Sequence, residues 1–143
     1  MDATRCSRVR PPVRSRFAIP RSASEARCLI EDLVRAREPA HGEAGPATER
    51  MADVLLVTSE LVTNAIRHGG GVVGLWAALD ADGLRIAVRD HSDDLPFVKP
   101  RTPDDPVPVG GYGWPMIRRL ASEVHVTPCP GGGKEIRVAL PVF

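Results

Sequence analysis

Apolar residues along this chain switch between two spacings, and the switches divide it into elements. Arg16-Phe-Ala-Ile-Pro20 is a short extended run closed by a proline, which has no ladder donor and suits an edge strand. Ser22 or Ser24 then caps a helix to about Arg37, with Ala26, Leu29, Ile30, Leu33 and Val34 on one face. Pro39, Gly42, Gly45 and Pro46 break it. The longest periodic stretch, from about Ala47 to His68, predicts a second helix stopped by Gly69-Gly70-Gly71. At about 100° per residue, Val54, Leu55, Leu61, Val62, Ala65 and Ile66 fall in one arc and form its core stripe.

Beyond the glycines the period shortens to two. Val72 to Leu79 is apolar and rich in strand formers, Asp80-Ala-Asp-Gly83 is a turn signal, and Leu84 to Asp90 alternates, so the pair predicts a hairpin. Residues 91 to 110 hold five prolines and four acids and predict a loop of lid length. Gly113 to about Ser122 is a short helix, and Val124–Thr127 with Lys134–Leu140 is a second hairpin around Pro130-Gly-Gly-Gly133. Helices on one face of a mostly antiparallel sheet make an α+β two-layer sandwich.

Composition narrows the class. A chain of 143 residues with 43% hydrophobic content is the size of one domain and buries roughly two-thirds of its unfolded surface. The net charge of +1 gives no reason to expect nucleic-acid binding, although the first 37 residues carry nine Arg against four acids. Those near the start, Arg5, Arg8, Arg10 and Arg14, follow no structural period, so residues 1–15 read as a flexible basic arm and 16–143 as the folded domain. Cys6, Cys28 and Cys129 form no C-x-x-C pair and read as reduced thiols, not as a zinc or redox site. No apolar run reaches the ~20 residues that span a bilayer, and a cytoplasmic protein with no membrane contact is expected.

Candidate chemistry concentrates on the second helix. Glu60, Asn64 and His68 stand at i, i+4 and i+8 and form a polar row beside the core stripe. On spacing alone the row is either a solvated face or a site in which a carboxylate takes a hydroxyl proton and an amide oxygen holds Mg²⁺ without adding charge. On β-type alternation, Asp90 continues the face of Leu84, Ile86 and Val88, which packs under the helices. It either caps the turn Asp90-His-Ser-Asp93 or serves a ligand.

The run Ser59-Glu-Leu-Val-Thr-Asn64-Ala-Ile-Arg-His68 resembles the N-box of the gyrase, chaperone, histidine-kinase and mismatch-repair ATPase superfamily (the Bergerat fold), and its first six residues are similar to those of the anti-sigma-factor serine kinases. The resemblance covers about Phe17 to Val142. It implies that Asn64 ligates Mg²⁺, that Glu60 is the general base, that Arg67 or His68 lies near the phosphates, and that Asp90 accepts a hydrogen bond from the adenine amino group. Gly110-Gly-Tyr-Gly113 resembles the second glycine box, in which Gly111 and Gly113 let backbone approach phosphate ahead of a helix N-terminus. Ser92 and Asp94 stand at the glycine positions of D-x-G-x-G, and Asp93 and Asp94 add negative charge near the expected phosphate path. Gly131-Gly-Gly133-Lys-Glu135 resembles the third box with Glu135 at the usual Thr, which would set two carboxylates facing each other if Glu135 does not turn away.

The resemblance implies an ATP- and Mg²⁺-binding serine/threonine kinase that modifies a small partner protein and sequesters a sigma factor. The alternative is a non-catalytic interaction module of the same fold with degenerate nucleotide boxes. A DNA-binding regulator would need an ordered Arg face, and homodimerisation stays open on sequence grounds.

Overall fold

The computed structural model describes residues 14–36, 48–95 and 113–143. Strand β1 (Arg14–Ala18) leads into helix α1 (Ala23–Arg35) and helix α2 (Thr48–His68). A hairpin of β2 (Val72–Asp80) and β3 (Gly83–Asp90) follows, then helix α3 (Gly113–Leu120) and a hairpin of β4 (Glu123–Pro128) and β5 (Lys134–Leu140). The strands form one antiparallel sheet in the order β1-β2-β3-β5-β4. This is the α+β two-layer sandwich expected. β1 is an edge strand as expected but begins at Arg14, two residues inside the stretch assigned to the arm.

Local chemistry explains the boundaries. Ser22 caps α1, its hydroxyl accepting from the Glu25 N–H at 3.1 Å. Glycines end α2, with the Gly69 and Gly71 N–H groups both donating to the Ala65 carbonyl. Strand alternation sends three cross-strand rows to the helix side of the sheet: Leu75, Val88 and Ile136; Ala77, Ile86 and Val138; Leu79, Leu84 and Leu140. All nine are buried, and they meet Ile30, Leu33 and Val34 of α1 and Val54, Leu61, Val62 and Ala65 of α2 in one core.

The stripe on α2 is rotated slightly from its sequence-based position. Met51, Val57 and Thr58 are buried, the Thr58 hydroxyl donating to the Val54 carbonyl at 2.7 Å, whereas Ile66 is exposed and Leu55 only packs at the margin. The far side of the sheet carries no helix among the described residues. There Phe17, Trp76, Ala87, Arg137 and His125 line up across all five strands, the Phe17 and Trp76 rings 5.0 Å apart.

Leu61 lies at the centre of the α2 contact with the core and is 1% exposed. Leu61→Ala is expected to lower unfolding free energy by about 2–5 kcal/mol in urea titration with an unchanged m-value.

Candidate functional site

The polar end of the inner face is set by the same alternation that builds the core. Asp90 follows Val88 on β3, and Lys134 precedes Ile136 on β5. Arg89 pairs with Glu135 in the ladder, so the neighbouring residues Asp90 and Lys134 both point to the helix side. Lys134 Nζ lies 2.8 Å from Asp90 Oδ2, with side chains only 7% and 5% exposed. The other carboxylate oxygen, Oδ1, accepts the Ser92 N–H at 2.9 Å. Asp90 therefore both caps the turn and faces inward.

Backbone packs tightly around this carboxylate. A β-carbon on Gly69 would lie 2.5 Å from Asp90 Oδ2, so the end of α2 approaches β3 only because residue 69 has no side chain. The His91 N–H donates to the Gly69 carbonyl at 2.8 Å and fixes that approach. On the other side Gly133 takes a positive φ of 84°, and a β-carbon there would collide with the Asp90 carbonyl. Asp93 Oδ1 accepts the Gly133 N–H at 2.8 Å, tying the turn after β3 to the glycine turn before β5. Asp93 thus holds the turn after β3 against the third glycine turn.

Glu60 and Asn64 lie half-buried on α2, one turn apart. A β-carbon on Gly113 would collide with Glu60 Oε2, so the carboxylate rests against the first residue of α3, at the positive end of that helix. The turn that carries Glu60 is braced from α1: Arg27 donates to Ser59 Oγ at 2.9 Å, and Ser59 donates to the Leu55 carbonyl at 2.8 Å. Arg67 and His68 are exposed in the last turn of α2. Gly111 and most of the expected lid, residues 96–112, lie outside the described residues.

Glu135 does not face Asp90. It projects to the open side of the sheet and pairs with Arg137, whose guanidinium its hydrogen bond and charge hold above the ordinary pKa. The residue that meets Asp90 is Lys134, which the sequence reading passed over. Its signal was available in the alternation Lys134, Ile136, Val138, Leu140, which puts a lysine on the core face.

A concavity of about 740 Å³ lies on the opposite side of the sheet, lined by Phe17, Trp76, His125, Glu135 and Arg137. It is separate from the Glu60, Asn64 and Asp90 end. No group of three or more His, Cys, Asp or Glu side chains able to hold a metal occurs among the described residues. No helix there is long and apolar enough to cross a membrane. Cys28 and Cys129 are free thiols.

An inward carboxylate under glycine-lined backbone, beside a helix bearing Glu60 and Asn64, lies in an α+β two-layer domain. Residues 20–140 match the histidine kinase-like ATPase domain, and the chain belongs to that family. It is 28% identical to the sensor protein NarQ homolog of Haemophilus influenzae over 65% of this chain and 16% of that protein. It is also 25% identical to the serine-protein kinase RsbW of Staphylococcus aureus, over 71% of this chain and 82% of that one. The chain thus spans about a sixth of the first relative and most of the second. The crystal structure of the RsbU and RsbW domains of a Mycobacterium tuberculosis protein shares the fold, with a TM-score of 0.58 at 20% identity over 92% of this chain and 33% of that one.

Two outcomes test this geometry. Lys134→Met leaves Asp90 buried without its cation and is expected to cost about 3 kcal/mol in urea unfolding, most of which the double variant Asp90→Leu/Lys134→Met recovers. Glu135→Thr, on the open side of the sheet, is expected to leave ATP affinity within about twofold of wild type in calorimetry, since a surface exchange away from a ligand costs little.

Proposed function

We propose that this chain is an ATP- and Mg²⁺-dependent serine/threonine kinase of the anti-sigma-factor type, a cytoplasmic regulator that modifies a serine of a small partner protein and holds a sigma factor. The observation that carries the reading is the Ser59–His68 run on α2, with Glu60 against the head of α3 and the end of the helix, at Gly69, against Asp90. The site fits a nucleotide in its donor set. Three glycines stand where a β-carbon would strike Glu60 or the Asp90 residue, so backbone approaches both carboxylates closely.

In this reading Asp90 takes the adenine amino group, Asn64 holds Mg²⁺ through its amide oxygen, and Arg67 and His68 supply donors to the phosphates. Bound ATP·Mg²⁺ supplies the phosphoryl group. Glu60 orients the partner hydroxyl and accepts its proton, from a position at the head of α3. Gly113 keeps that approach open, and Gly111 belongs to the same proposed phosphate-binding turn. The second reading, a module without nucleotide, draws on the Lys134 ammonium already seated on Asp90.

Binding and transfer titrations on the same preparations separate the two. Asp90→Asn should weaken ATP more than about tenfold, because an amide donor can then face the adenine amino group. Asn64→Ala should abolish the Mg²⁺-dependent part of ATP affinity. Glu60→Ala should leave ATP·Mg²⁺ binding nearly intact while phosphate transfer to a serine partner falls ~10²-fold or more. Wild-type protein that binds no nucleotide would sink the kinase reading, and binding without transfer to any cognate partner would favour the module.

A further inference from the structure

We propose that Lys134 is a base-reading residue, its ammonium and the Asp90 carboxylate forming a fixed donor and acceptor pair for the amino and ring-nitrogen edge of an adenine. The inference rests on the nucleotide reading above and adds a specificity determinant to it.

Burial is the first argument. A lysine is almost never fully buried without a partner, and Lys134 is 6% exposed with its Nζ on Asp90 Oδ2. A buried ion pair is weak support for stability, because a well-packed apolar pair of similar volume does as well or better. The pair also sits at the glycine-lined end of the inner face, away from the three apolar rows that carry the core. A polar function accounts for it there.

The hydrogen-bonding inventory is the second argument. An ammonium has three donors, and one goes to Asp90. A carboxylate has roughly four acceptor directions; the Ser92 N–H takes one on Oδ1, and the Lys134 ammonium is ion-paired 2.8 Å from Oδ2. What remains beside Oδ2 is an acceptor next to a charged donor. Adenine offers the complement on adjacent atoms, an amino N–H and the ring nitrogen N1. Guanine carries a carbonyl where adenine has its amino group and an N–H where adenine has N1, so it would set an acceptor against the Asp90 carboxylate and a donor against the Lys134 ammonium. Lys134 would therefore donate to N1 while Asp90 accepts from the amino group. A charged donor makes the N1 contact stronger than a neutral one would.

Position is the third argument. Gly133, held by Asp93 at 2.8 Å in a left-handed turn, fixes the backbone one residue before Lys134. The ammonium is thus placed by the fold and does not depend on a ligand to order it.

The test is calorimetric titration of the full chain with Mg²⁺ and ATP, GTP or 1-deaza-ATP, in which a C–H replaces N1. Wild type is expected to bind 1-deaza-ATP about tenfold or more weakly than ATP, and GTP more weakly still. Lys134→Thr and Lys134→Met are expected to lose the preference for ATP over 1-deaza-ATP to within about twofold, because the partner of N1 is gone. Equal wild-type affinity for ATP and 1-deaza-ATP would overturn the role of Lys134 while leaving ATP binding standing. Tighter GTP than ATP binding would overturn the adenine assignment. ATP binding by Lys134→Thr but not by wild type would make Lys134 a block and overturn the inference. No nucleotide binding by either would remove the reading on which it rests. The wild-type comparison needs no variant to fold.

Discussion

Three helices pack on one face of a single antiparallel sheet, and no helix covers the other among the described residues, so the period-two alternation of β3 and β5 decides what lies inside. Leu84, Ile86 and Val88 run inward along β3, and the same step carries Asp90 inward beyond them. Ile136, Val138 and Leu140 do likewise on β5, and Lys134 shares their side. A slip of one residue would expose the apolar rows and turn Asp90 and Lys134 out to water. The hydrophobic core thus enforces the register that puts a charged pair at one end of it.

That end is built by subtraction. Gly69, Gly113 and Gly133 each stand where a β-carbon would strike Asp90 or Glu60, so backbone closes around the two carboxylates with no side chain between. The carboxylates then differ in what holds them. Asp90 is fixed by a buried cation and a backbone N–H, whereas Glu60 is half-buried at the head of α3. The first suits a group that recognises, and the second a group that must exchange a proton with an incoming hydroxyl.

Much of this was legible in the sequence because it depends on local rules. The Ser22 cap, the glycine stop after His68, both hairpins and the inward face of Asp90 follow from capping, turn chemistry and alternation. What was misread depends on register between distant strands. Whether residue 134 or 135 meets Asp90 is a pairing between β3 and β5, more than 40 residues apart; the motif left the direction of Glu135 open and did not point to Lys134. The bond from Gly133 N–H to Asp93 crosses the same gap and has no local signal. The exposure of Ile66 has a different cause: the buried stripe of α2, through Met51, Val57, Thr58 and Ala65, is rotated slightly from its sequence-based position.

The chain has two tryptophans, and the fold separates them. Trp76 lies in the outer row of the sheet against Phe17, partly open to water. Trp114 packs on the core at the start of α3, next to the glycine that abuts Glu60. The intrinsic ultraviolet emission of the protein is therefore a sum of two indoles in unlike surroundings, one beside the polar end of the site and one on the opposite side of the sheet. A shift in the first against a steady second gives a label-free optical signal with its own internal reference, and it requires no dye, tag or added chromophore.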